Sequence, residues 1–296
     1  MMKIKFFSDY NRDSADLLNR FRANYDVYDD ELGFTTGDDY DFAVAFNRSD
    51  VPIRKGAKMI TIIQEPSFSE AHQFRTSLTN SDYLIVHDAE LFKMTWDVEF
   101  RGMVIESPSF MFYDDHVHHT FFDNTAEVNK TKKLSMIVSG LCFSRGNYRK
   151  RLNLLSKILN SDLDIDIYGR GLHISDPRYK GPLEYKYAGL LPYEYSIAIE
   201  NSNEKNYISE KFVDCVLCNT VPIYNGAPNV SKVYDDRYFR EIDLNSDTIV
   251  KDIASIIAEP APGTILNKEI YRNQLNLYTK LKQIIFEIDP LTPSLF

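Results

Sequence analysis

Short apolar runs separated by polar, turn-rich stretches recur along the chain, and they set its fold class. Residues 3–7, 42–46, 59–63, 83–86 and 103–105 are of strand length and nearly continuous in apolar side chains. Such runs suit strands of a parallel sheet covered on both faces. After the first of them, Leu17, Leu18 and Phe21 share one helical stripe, with Ser14 as candidate N-cap. A second series follows. Residues 134–138, 164–168, 195–199 and 221–224 read as strands. Residues 147–159 read as a helix with Leu152, Leu155 and Leu159 on one face. Ser246 or Asp247 caps another helix, which runs to about Ala258 with Ile249 and Ile253 inward and ends at Pro260 and Pro262. A last helix is expected over 267–287, with Leu275, Tyr278, Leu281 and Ile285 along its apolar side.

Between the two series, residues 114–133 are rich in His, Asp, Asn, Thr and Lys and read as a link. The expectation is an α/β protein of two Rossmann-like domains, 1–125 and 126–296, facing one another across a cleft, with the last helix free to pack back on the first domain. A length of 296 residues suffices for two such domains.

The net charge of -9 argues against a general nucleic-acid binder and against electrostatic attachment to an anionic membrane. No apolar run approaches the ~20 residues of a transmembrane span. The N-terminal stretch reads as a first strand rather than a signal peptide. Cys142, Cys215 and Cys218 form no disulfide framework. Cytoplasmic residence is therefore expected. Cys215 and Cys218 make a lone CxxC inside an apolar helix and read as buried structural thiols rather than a redox or metal pair. His116, His118 and His119 lie in a polar segment that reads as a solvated linker rather than a metal site.

Candidate chemistry concentrates in residues 195–226. An apolar strand runs into a polar loop at Asn201, and the loop is expected to open a helix whose first turn carries Tyr207, Glu210 and Lys211. A helix start offers free N–H groups and a favourable dipole to an anion. Lys211 there would oppose the dipole unless a phosphate were bound. Arg149, in the first turn of the first helix after the link, is a second candidate phosphate ligand, with Arg145 and Arg151 as competitors. In the first half, Glu65 follows a strand in Gln64-Glu65-Pro66-Ser67. A partly desolvated carboxylate there would have a raised pKa and could serve as general base. Alternatively, Ser67 and Glu70 form a capping box and Glu65 merely sits beside a helix start.

Taken together, Glu200-Asn201-Ser202, Tyr207-Ile208-Ser209-Glu210-Lys211, Val221-Pro222-Ile223 and Gly226 resemble the signature of the α-1,3-fucosyltransferases, glycosyltransferase family ten. Residues 166–171 resemble that family's aspartate-aromatic-Gly-Arg strand end, and Gln64-Glu65-Pro66-Ser67 resembles the acidic segment that supplies its general base. The resemblance implies a GT-B fold, an N-terminal acceptor domain and a C-terminal donor domain. It implies GDP-fucose as donor, a glycan as acceptor, and inversion at the anomeric carbon. Glu65 would be the base, and Arg149 and Lys211 would hold the pyrophosphate. Asn201, Tyr207 and Glu210 would contact ribose, phosphates or fucose, with Glu210 able to offset positive charge on the sugar. Animal members carry a transmembrane anchor and disulfides, and some bacterial members a basic amphipathic tail; the sequence shows none of these patterns, so peripheral attachment to a membrane stays open.

The implied mechanism needs no metal and no cofactor besides the donor substrate. Asp39-Tyr40-Asp41 is a DxD, but it precedes a strand, and Asp164 and Asp166 alternate with apolar residues, so these carboxylates read as structural or solvent-facing. Two alternatives remain: the same fold with another nucleotide-sugar donor, or a non-catalytic glycan- or nucleotide-binding protein on the same scaffold.

Overall fold

Two six-stranded sheets, parallel throughout, carry the structure, a computed structural model that describes residues 1–10, 13–25, 27, 30–73, 75–110, 117–265 and 268–287. The strands are β1 (Met2–Ser8), β2 (Leu32–Phe34), β3 (Phe42–Phe46), β4 (Lys58–Ile62), β5 (Tyr83–Val86) and β6 (Met103–Glu106) in the first sheet. The second holds β7 (Lys132–Ile137), β8 (Asp166–Tyr168), β9 (Tyr179–Gly181), β10 (Tyr193–Ile199), β11 (Val221–Asn225) and β12 (Arg240–Glu241). The α-helices are α1 (Ser14–Asn24), α2 (Thr76–Asn80), α3 (Ala89–Trp96), α4 (Tyr148–Leu159), α5 (Glu210–Leu217), α6 (Ile249–Ala258) and α7 (Leu277–Lys282).

The chain divides into two compact units. One comprises Met1–His119, Glu204–Ser209 and the chain from Tyr271 onward; the other comprises Thr120–Asn203 and Glu210–Ile270.

In the first unit the strand order is β2-β1-β3-β4-β5-β6. β3 is buried along its whole length, as expected for a strand covered on both faces. Phe6 packs on Phe21 of α1 at 4.9 Å, and Phe34 meets Tyr278 of α7 at 6.3 Å. Asp13, not Ser14, caps α1: its side chain accepts from Ala15 N at 2.8 Å, while Ser14 Oγ donates to Phe6 O. The single helix expected over 267–287 is interrupted. Asn276 accepts from Thr279 N at 3.2 Å and starts α7 afresh, a normal use of Asn at an N-cap.

In the second unit the order is β12-β11-β10-β7-β8-β9. From β7 the chain winds outward through β8 and β9, then returns to β10 on the other side of β7 and winds outward again. The order therefore reverses between β7 and β10, whose partners include Leu134 with Tyr195 and Met136 with Ile197. A crevice opens beyond the carboxyl ends of strands at such a reversal, which is where doubly wound sheets bind ligands. Close approach at this end requires glycine at residue 169: a Cβ there would lie 1.6 Å from Val138 O.

Candidate active site

A cavity of about 450 Å³ occupies that position in the second unit. Its wall includes Val138 and Ser139 after β7, Gly169 and Arg170 after β8, Asn201 after β10, and Glu210 and Lys211 at the start of α5. Asn201, Glu210 and Lys211 are thus brought together as the sequence suggested.

Lys211 Nζ lies 2.8 Å from Glu210 Oε1 and 3.9 Å from Glu200 Oε2. Burial works against the ammonium charge, but the Glu210 and Glu200 carboxylates outweigh it and push the Lys211 pKa up to about 12. Burial likewise works against the charge on Glu210, and Lys211 overrides it, bringing that carboxyl down to about 2. Both groups therefore stay charged through the neutral range. Glu200 is fully buried at the end of β10. Gly226 leaves it room: a Cβ there would stand 2.5 Å from Glu200 Cγ and 2.2 Å from Tyr224 Oη.

The two candidate arginines separate clearly. Arg149 is exposed and does not line the cavity. Arg151 is buried and lines it; its Nη1 donates to Asn201 Oδ1 at 2.9 Å, and its guanidinium sits 4.7 Å from the Tyr148 ring centroid. Its charge opposes that of Lys211, so two cations converge on one cavity. The inward face of α4 carries Arg151, Leu154, Leu155 and Ile158, rather than the expected stripe of Leu152, Leu155 and Leu159. Reading that alternative stripe at i, i+3, i+4 and i+7 would have selected Arg151 from the sequence.

Tyr207 is placed differently from the expectation. The helix expected to begin there begins at Glu210. Asn206 adopts a left-handed φ of 59°, Tyr207 N bonds to Glu204 O at 3.1 Å, and Ile208 N bonds to Asn206 O at 2.8 Å, so the chain turns tightly instead of coiling. Tyr207 is buried in the first unit, its ring 5.1 Å from that of His87.

Glu65 lies half-buried in the first unit, past the end of β4. Asn47, itself at a left-handed φ of 57°, accepts from Gln64 N at 2.8 Å and Glu65 N at 3.2 Å through one side-chain oxygen. The Ser67–Glu70 capping box does not form. Ser67 Oγ donates to Glu204 Oε1 at 3.0 Å, and Ser69 caps the short turn that follows.

Sequence reasoning missed a second close lysine–carboxyl contact on the cavity wall. Lys186 Nζ is 2.6 Å from Asp214 Oδ2, while Asp214 Oδ1 is buried and makes no hydrogen bond. No local pattern marks Asp214, which lies in an apolar helical run, or Lys186, which arrives from a loop. Burial outweighs the Lys186 charge and raises the Asp214 pKa to about 7. The fold therefore holds a proton that the unfolded chain, with its ordinary value of 3.8, releases. Stability should fall as pH rises through the window between those values and level off above it, at up to about 1.4 kcal/mol per pH unit. Urea unfolding between pH 5 and 8 should show this slope in the wild type and lose it in Asp214→Asn. Identical slopes in both proteins would count against a neutral Asp214 in the fold.

The remaining candidates are tied up elsewhere. Asp39 pairs with Lys3 at 2.6 Å and Asp41 accepts from Lys3 N at 2.8 Å. Asp166 bonds Lys132 at 2.8 Å and Tyr193 at 2.7 Å. Cys215 and Cys218 are buried free thiols, with burial raising both pKa values. The His118 and His119 rings lie tilted against each other with centroids 4.1 Å apart, and His116 lies outside the described residues. Among the described residues, no helix is long and apolar enough to cross a membrane.

Part of this chain is similar to known glycosyltransferases. A family model described as "Glycosyltransferase family 10 (fucosyltransferase) C-term" matches residues 128–258. Alpha-(1,3)-fucosyltransferase fut-5 of Caenorhabditis elegans is 31% identical over 163 residues, 43% of this chain and 41% of that protein. Glycoprotein 3-alpha-L-fucosyltransferase A of Drosophila melanogaster is 30% identical over 138 residues, 45% of this chain and 26% of that protein. The chain thus spans less than half the length of these relatives. Among solved structures, an α1,3-fucosyltransferase with GDP-fucose superposes with a TM-score of 0.53 at 15% identity, covering 95% of this chain and 89% of that one. The Anabaena protein HepE in complex with UDP-glucose gives 0.59 at 9% identity, covering 97% and 100%. At these identities the likeness is one of fold, and the fold is GT-B: two Rossmann-like α/β units. The match over 128–258 takes in the cavity-lining segments of β7, α4, β10 and α5, so this part of the chain is similar to the C-terminal domain of the glycosyltransferase family 10 fucosyltransferases.

Proposed function

We propose that the chain is an inverting fucosyltransferase that moves fucose from GDP-fucose to a glycan hydroxyl, in α-1,3 linkage to N-acetylglucosamine or glucose of a β-galactoside-type acceptor. The observation that carries this reading is the convergence of Arg151 and Lys211 on a cavity at the strand-order reversal of the second unit.

In this reading the pyrophosphate lies against Lys211, Arg151 and the first N–H groups of α5. These groups stabilise the charge that builds on GDP as the C1–O bond breaks. Arg151 replaces Arg149 in that role because it is the one that lines the cavity. Asn201, held by Arg151, would accept hydrogen bonds from sugar hydroxyls or donate to them, and the Glu210 carboxylate, held by Lys211, would accept from them. Tyr207, buried against His87, is left out of that set. Glu65 takes the proton of the attacking hydroxyl while GDP departs, so one C–O bond forms as another breaks and the anomeric configuration inverts.

The direct test is release of GDP from GDP-fucose by the purified protein, given β-galactoside and N-acetylglucosamine acceptors. Thermal-shift measurements with GDP-fucose, GDP-mannose and UDP-glucose separate the donors. Use of another sugar nucleotide with none of GDP-fucose would refute the donor assignment. The arginines supply an internal comparison. Arg151→Ala should raise the donor KM by about tenfold or more, the loss of one charge-assisted contact, whereas Arg149→Ala should change it by less than about twofold. Equal effects would remove Arg151 from the phosphate site.

A further inference from the structure

The segment that carries Glu65 is held in the first unit from two sides. On one side stands Asn47, which bonds the Gln64 and Glu65 amides; Gln64 Nε2 also donates to Phe110 O at 2.6 Å. On the other stands Glu204, which arrives from far along the chain in the signature loop. Its carboxylate accepts from Ser67 N at 2.9 Å and from Ser67 Oγ at 3.0 Å, and its Oε2 is 2.6 Å from His87 Nε2. Glu204 is 7% exposed and His87 is fully buried.

A buried carboxylate is costly unless paired and hydrogen-bonded. Ser67 and His87 supply contacts that compensate the buried Glu204 carboxylate. The surroundings fix His87 in turn. Asn206 Nδ2 donates to His87 O at 2.9 Å, and the His87 ring packs edge-on to Phe92 at 5.0 Å and beside Tyr207. Trp96 Nε1 donates to Ser67 O at 2.6 Å. Between Asn47 and Glu204 the chain has only Pro66 after Glu65, and the proline ring fixes its own φ. The direction in which the Glu65 side chain leaves the backbone is therefore set by anchors one or two residues to either side.

The geometry points to Glu204 as the positioning residue for Glu65: the signature loop fixes the orientation of the proposed general base by clamping Ser67. This rests on Glu65 being the base. The residue is not itself a proton carrier in this scheme, since both its oxygens are engaged by Ser67 and His87.

The test uses the full chain with Glu204→Ala, Glu204→Gln and Ser67→Ala, read by steady-state kinetics, GDP titration and amide hydrogen exchange. In Glu204→Ala, exchange should rise at residues 64–69. The turnover number should fall about 10²-fold, the usual consequence of an approximately 1 Å misplacement of a reacting group, with GDP affinity and donor KM within about twofold of wild type. Glu204→Gln, which keeps an acceptor for Ser67, should recover part of the loss. Ser67→Ala, which keeps the amide and removes one hydroxyl, should show a smaller loss in the same direction and guards against a misfolded Glu204→Ala. Unchanged exchange at 64–69, or raised exchange with unchanged turnover, overturns the positioning role. So does a parallel loss of GDP affinity in all three variants, which would mark a general structural defect. A Glu65→Gln control separates the two ideas. Full activity in that variant removes the base assignment, while the exchange data still report whether Glu204 holds the segment.

Discussion

Replacing Lys211 by alanine is expected to weaken GDP binding about 10²-fold, the larger part of the energy of one charge-assisted hydrogen bond to phosphate and its attendant repulsion. The ammonium does two things at once. It is one of the cations converging on the cavity, and it neutralises Glu210 at 2.8 Å and Glu200 at 3.9 Å. Alanine removes the attraction and leaves those carboxylates facing the ligand's own negative charge. Because the Lys211 pKa stands near 12 and that of Glu210 near 2, the effect should be constant across pH 6–9. Isothermal titration with GDP measures it. An affinity within about threefold of wild type would place the phosphates elsewhere.

Glu65→Gln is expected to lower transfer by about 10²–10⁴-fold, the usual range for a general base, with GDP affinity essentially unchanged. The substitution keeps size and shape. The bonds from the Gln64 and Glu65 amides to Asn47 do not involve the side chain and should survive. A loss confined to turnover therefore reports the missing proton acceptor. Added azide or formate, small enough to stand in for the carboxylate, should restore part of the rate. Wild-type turnover in Glu65→Gln would move the base to another group, and Asp9 would be the first to examine: it is hydrogen-bonded by Asn47 at 3.2 Å, and burial raises its pKa.

Much of the fold was legible because parallel strands buried on both faces leave unbroken apolar runs, and β3 and β10 are of that kind. Asn201, Glu210 and Lys211 were legible for a related reason. A strand end followed by a helix start collects ligand-binding groups in any doubly wound sheet. Tyr207 was misplaced because its surroundings come from far away in sequence. Asn206 is bonded to His87, 119 residues distant, and that contact favours a left-handed turn where local propensity allowed a helix. Arg149 and Arg151 differ by two positions, about 200° around a helix, so a place in the first turn alone did not tell which of them faces inward. The Lys186–Asp214 pair had no local signature at all, since each partner reads as an ordinary residue until the fold joins them.

The way the backbone is shared between the two units bears on how the protein can be dissected. Residues 204–209 and the chain from Tyr271 belong with the N-terminal sheet although they follow most of the other unit in sequence. A fragment stopped near residue 125 would lack Glu204 beneath Ser67 and Tyr278 against Phe34. It would expose His87 and part of its aromatic core. Neither half is a contiguous cassette, so exchanging one unit between relatives calls for an intact polypeptide, not for fusion of halves at a single cut.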